Sequence, residues 1–105
     1  MNFKRINYVE ALDLLERHGK EGLQIVDIRD DAAYSQGHIE SALHLHGANM
    51  QEFIDSADWD RPVLVYCYHG HMSQSAAAYL AERGFTQSYS LDGGYEAWRQ
   101  RELAG

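Results

Sequence analysis

Cysteine and proline are almost missing from this chain, with one of each in 105 residues. A single thiol cannot close an internal disulfide, so nothing calls for an oxidising compartment. No apolar run is long enough to span a bilayer. The first residues, Met1-Asn2-Phe3-Lys4-Arg5-Ile6, lack the apolar core of a signal peptide. These absences lead to the expectation of a soluble, cytoplasmic protein with no membrane association. Basic residues are also scarce, nine Lys and Arg against 16 Asp and Glu, for a formal net charge of −7. That balance argues against a nucleic-acid or anionic-membrane surface, both of which need clustered Lys and Arg. An anionic substrate would have to be attracted locally, against the average field. Internal repeats, low-complexity tracts and Pro/Gly/Ser-rich linkers are absent too, so residues 1–105 are expected to form one domain. The content of 45% hydrophobic and 24% charged residues is that of a globular chain.

What is present alternates between strand and helix patterns. Phe3 to Ile6 reads as a short edge strand. Asn7, with Glu10 three residues on, has capping-box spacing. Tyr8, Ala11, Leu12 and Leu15 then fall on one helical face, and Gly19 stands where a helix would end. Leu23 to Ile28 is a β-branched run of the kind found in buried parallel strands. Asp30 can cap a short helix that stops at Gly37. Ala42 to Leu45 suggests a brief strand, and Met50, Phe53 and Ile54 a small helix. Val63 to Tyr66 is the most apolar strand and the candidate for the sheet centre. A serine-initiated helix rich in alanine follows and ends at Gly84. Ser88 to Leu91 reads as the last strand, and Gly93-Gly94 turns into a helix carrying Trp98. The alternation predicts an α/β fold with a mostly parallel sheet covered by helices on both faces.

The lone cysteine stands at the end of the most apolar strand. The segment Tyr66-Cys67-Tyr68-His69-Gly70-His71-Met72-Ser73 passes from strand to helix through a polar loop with one glycine. Ligands in open α/β sheets bind at the carboxyl ends of strands. A thiol there, facing loop amides and a helix N-terminus, has the surroundings that lower its pKa and hold an anion. A buried structural cysteine is the alternative, but a polar loop is unlike a core position.

Three segments together resemble the single-domain rhodaneses, short bacterial thiosulfate sulfurtransferases. They are Val26-Asp27-Ile28-Arg29-Asp30 running on through Tyr34, Gly37, His38, Ile39 and Ala42; Cys67-Tyr68-His69-Gly70; and Tyr89-Ser90-Leu91-Asp92-Gly93-Gly94 with Trp98. The resemblance implies a rhodanese-like, five-stranded parallel sheet. It implies thiosulfate as sulfur donor, a persulfide on Cys67, and cyanide, a dithiol or a thioredoxin-like protein as acceptor. It implies no metal and no organic cofactor, and a monomer or homodimer. A persulfide relay or binding module with little thiosulfate turnover is the alternative. Phosphatases of related architecture place an arginine six positions after the cysteine to bind phosphate bidentately; here that position is Ser73.

The residues expected to bind substrate or persulfide are Tyr68, His69, Gly70, His71, Met72 and Ser73. His69 and His71 could supply positive charge near neutral pH or be ordinary exposed loop residues. His44-x-His46 and His69-x-His71 lack companion ligands for a metal. Asp27 and Arg29 could bind an anion near the loop, but a structural pair supporting it is the stronger reading. His38 is expected to be a structural hydrogen-bonder, and Trp59 and Trp98 packing residues.

Met72 departs from the hydroxyl residue usual at this position in the short enzymes. A Met72→Ser substitution is therefore expected to raise kcat/KM for thiosulfate. An unchanged or lower value would count against a substrate-binding role for position 72.

Overall fold

The computed structural model describes residues 2–104. Its elements run β1 (Lys4–Ile6), α1 (Tyr8–Gly22), β2 (Gln24–Asp27), α2 (Asp31–Gln36), β3 (Leu43–His44), α3 (Met50–Ser56), β4 (Val63–Tyr66), α4 (Met72–Arg83), β5 (Ser88–Leu91) and α5 (Gly94–Ala104). The strands form one sheet in the order β1-β5-β4-β2-β3. Every neighbouring pair is parallel, so the sheet is wholly rather than mostly parallel.

The central place of β4 follows from its composition. All four of its residues are buried, as a strand covered on both faces requires. Val63 and Val65 point to one side, joining Val26, Ile54, Leu80 and Phe85 beneath α3 and α4. Leu64 and Tyr66 point to the other, joining Leu14, Ile25, Leu91 and Trp98 beneath α1 and α5. Each fully buried side chain of this size contributes about 1.5–3 kcal/mol relative to exposure.

Local signals set the element ends. Asn7 accepts from the Glu10 amide while the Glu10 carboxylate accepts from the Asn7 amide, closing the capping box at 2.9 Å in both directions. Asp30 caps α2 through the Ala33 amide, and the helix stops at Gly37. Gly19 does not end α1 outright. It takes a φ of 72° and kinks the helix, which resumes for one turn to Leu23. The buried stripe of α1 also differs from the expected one: Ala11 and Leu14 are buried, whereas Leu12 is exposed. Position 14, not position 12, joins Tyr8, Ala11 and Leu15 against the core. The three expected strands at β1, β2 and β3 are each trimmed at their ends.

The loop before β4 is anchored by Trp59, whose indole nitrogen donates to the Ile54 carbonyl at 2.8 Å. Its ring covers Gly84, where a Cβ would lie 2.8 Å from Cε3. Gly84 has a φ of 123°, which glycine adopts without strain. Because all strands are parallel, Asp27, Tyr66 and Leu91 end at the same sheet edge, bringing three distant loops together.

Candidate active site

Cys67 immediately follows β4, and its thiol lies under the loop that leads to α4. The Gly70 and Ser73 amides each donate to Sγ at 3.3 Å. The Ser73 hydroxyl is also 3.4 Å from the sulfur. Ser73 is the second residue of α4, so its amide is one of the donors a helix leaves unpaired at its start. The helix therefore begins at Met72 and not at a capping serine; Ser73 turns inward and is fully buried. Burial pushes the Cys67 thiol up, but the Ser73 hydroxyl, the Ser73 amide and the Gly70 amide outweigh it. The net result is a thiol below its ordinary value.

The loop is shaped from behind by the turn into α5. Gly70 has a φ of 92°, and a Cβ there would meet the Gly93 amide nitrogen at 2.8 Å. Gly94 is tighter still: its Cβ would lie 2.6 Å from the Cys67 carbonyl oxygen and from the Tyr68 carbonyl. This approach lets the Tyr95 amide donate to the Cys67 carbonyl at 2.8 Å and the Glu96 amide to the Tyr68 carbonyl at 3.2 Å. The Gln74 side chain ties the front of the loop by donating to the Gly70 carbonyl at 2.9 Å. The α5 N-terminus thus holds the back of the loop and the α4 N-terminus faces the sulfur.

Asp27 and Arg29 form a buried pair. The Arg29 guanidinium donates to Asp27 Oδ2 at 2.7 Å and to the Gly37 carbonyl at 2.6 Å, while the Arg29 amide donates to Asp27 Oδ1 at 2.8 Å. Its charged plane lies 4.1 Å from the Tyr95 ring centroid. Burial would push the guanidinium down, but the Asp27 carboxylate holds it above its usual range. Tyr66, buried beside Asp27, is pushed far up by that burial, and its hydroxyl accepts from the Ile39 amide at 3.0 Å. The Nε and Nη2 donors of Arg29 therefore tie β2 to the Gly37 turn, an arrangement suited to support.

The remaining loop residues divide clearly. Tyr68 hydrogen-bonds Asp30 and is pinned to the start of α2. His69, His71 and Met72 are exposed, with Met72 at 58%. His38 Nδ1 lies 2.8 Å from the Tyr34 carbonyl and its ring stacks on Tyr34, as a structural hydrogen-bonder should. His44 Nε2 is engaged with the Arg29 carbonyl at 2.6 Å. Among the described residues, no group of three or more His, Cys, Asp or Glu side chains could hold a metal ion. No helix among them is long and apolar enough to cross a membrane.

Sequence reasoning missed three contributors. Gly93-Gly94 reads as turn chemistry, but the structure makes it the wall behind the cysteine loop. Gln74 gives no signal beyond its place one residue past Ser73. Ser90 is fully buried with its hydroxyl 2.8 Å from that of Ser73. The signal for Ser90 was a polar residue at a buried position of a short strand, which demands a partner.

Residues 10–101 match the rhodanese-like domain family. A Pseudomonas putida protein named thiosulfate sulfurtransferase GlpE is 54% identical over 97 residues, covering 92% of this chain and 86% of that protein. A Coxiella burnetii protein of the same name is 48% identical over 99 residues, covering 94% and 90%. The crystal structure of a rhodanese-like domain protein from Staphylococcus aureus superposes with a TM-score of 0.77 at 25% identity, covering 91% of each chain.

Breaking the buried pair leaves the Asp27 charge without its partner, the costly half of such an interaction. Arg29→Met is expected to lower the unfolding free energy by about 3–5 kcal/mol in urea titration. A loss under about 1 kcal/mol, the size of an exposed pair, would contradict the structural role.

Proposed function

Since the chain belongs to the rhodanese-like domain family, we propose that it is a thiosulfate sulfurtransferase working through a persulfide on Cys67. The observation that carries the reading is the pair of backbone amides, Gly70 and Ser73, that donate to the Cys67 sulfur at 3.3 Å, with the Ser73 hydroxyl 3.4 Å away. Such a cradle favours the thiolate, the nucleophilic form. It supplies positive potential locally in a chain whose net charge is −7. The relatives named thiosulfate sulfurtransferase support the choice of donor.

In the first half-reaction the Cys67 thiolate attacks the outer sulfur of thiosulfate. The new sulfur–sulfur bond forms as the old one breaks, and the electron pair leaves on sulfite. The loop from Tyr68 to Ser73 binds the anion, with backbone amides and the N-terminal end of α4 stabilising the charge on the outer sulfur. In the second half-reaction the acceptor attacks that outer sulfur and the Cys67 thiolate departs. With cyanide the product is thiocyanate. The sulfur leaves to an external acceptor, because no second cysteine in the chain can take it; the acceptor we propose in the cell is a dithiol or a thioredoxin-like protein of the cytoplasm. Residues 1–105 act as one catalytic domain, and every step uses side chains and amides of the chain alone.

Arrangement into two steps through a covalent intermediate predicts ping-pong kinetics. Initial velocities with varied thiosulfate and cyanide should give parallel double-reciprocal lines, and Cys67→Ala should fall to the background rate. Intersecting lines, or turnover surviving in Cys67→Ala, would overturn the proposal.

A further inference from the structure

Two residues of β5 present hydroxyls to α4, and they do different things. The Ser88 hydroxyl donates to the Ala77 carbonyl at 2.8 Å, an ordinary strand-to-helix bond. The Ser90 hydroxyl meets the Ser73 hydroxyl at 2.8 Å, and Ser73 in turn meets the Cys67 sulfur at 3.4 Å. Ser73 and Ser90 are both fully buried, and Cys67 is 1% exposed, so solvent does not complete this chain of three atoms. The parallel register sets Ser90 beside Val65, two residues before Cys67, which fixes its place relative to the loop.

Counting hydrogens gives the chain a direction. With a thiol there are three hydrogens, on the sulfur and the two hydroxyls, for two gaps. With the thiol donating to the Ser73 hydroxyl, Ser73 turns its own hydrogen to Ser90, and the Ser90 hydrogen then faces no acceptor within the chain. With a thiolate there are two hydrogens for two gaps. Ser90 donates to Ser73, Ser73 donates to the sulfur, and both are used. Among the described residues the Ser90 hydroxyl has no other side-chain or backbone hydrogen bond. A buried donor left without an acceptor is costly, so the arrangement favours the charged sulfur. A hydroxyl that already accepts a hydrogen bond is also a stronger donor to the next atom.

We propose that Ser90 is a positioning residue for the Cys67 nucleophile, its hydroxyl acting through Ser73 to aim a hydrogen bond at the sulfur and favour the thiolate. This deepens the sulfurtransferase reading by assigning a role to a strand residue outside the cysteine loop, and rests on Cys67 being the reacting group. The same polarised hydroxyl of Ser73 is available when the thiolate leaves the persulfide in the second half-reaction.

The test follows the pH dependence of iodoacetamide alkylation on the full chain, which reports Cys67 alone because there is no other cysteine. Ser90→Ala should move the alkylation midpoint upward by on the order of half a pH unit or more. Ser73→Ala should move it at least as far, and adding Ser90→Ala to Ser73→Ala should produce no further shift. Ser88→Ala should leave the midpoint unchanged. Ser90→Thr and Ser90→Val are nearly the same shape and strain the packing alike. The Thr variant should keep the wild-type midpoint and the Val variant should shift. An unmoved midpoint in Ser90→Ala, an equal shift with and without the Ser73 hydroxyl, or identical Thr and Val midpoints would each overturn the assignment. Alkylation needs neither thiosulfate nor acceptor. A protein inert toward thiosulfate would refute the sulfurtransferase reading while this comparison still decided the role of Ser90.

Discussion

The contact between Gly94 and the Cys67 carbonyl is the constraint on which the site depends. A Cβ at Gly94 would sit 2.6 Å from that oxygen, so only glycine lets the α5 amides reach the back of the cysteine loop. With the Cys67 and Tyr68 carbonyls held from behind, the loop's free amides can face the other way. Gly70 and Ser73 then converge on the sulfur. The sheet supplies the geometry for this meeting. Parallel pairing of β4 with β5 puts Cys67 and Gly94 at one edge although they stand 27 positions apart in the sequence.

The site also resolves a conflict between global and local charge. A chain with net charge −7 repels anions on average, and the loop carries no lysine or arginine. Arg29, the nearby guanidinium, is committed to Asp27 and the Gly37 carbonyl. At the sulfur itself, positive potential comes from the oriented peptide dipoles of the Gly70 and Ser73 amides. Those are fixed by folding and require no buried cation. Two helix N-termini serve different ends: α4 faces the sulfur, and α5 neutralises the carbonyls behind it.

Much of this was legible in the residues, for physical reasons that differ from element to element. The run Val63 to Tyr66 is apolar at every position, which marks a strand buried on both faces, and it is the central strand. Asn7 with Glu10 and Asp30 before α2 are local signals, complete within four residues, and both caps formed. Of the expected stripe on α1, Tyr8, Ala11 and Leu15 do pack on the core, and only Leu12 departs, Leu14 on the other flank of the same face taking its place through packing on the sheet. The Asp27–Arg29 pair was readable as a pair because Asp27 closes β2 and Arg29 stands two residues on. Ser90, Gln74 and the Gly94 wall were not, since each acts on the cysteine loop across the fold. Their partners are known only once β5 is set beside β4 and α5 is docked.

Intact mass spectrometry after brief exposure to thiosulfate tests the central claim most directly. The account predicts a gain of one sulfur atom, removed by cyanide and absent from Cys67→Ala. Protein that turns over thiosulfate and cyanide without ever carrying that adduct would contradict it.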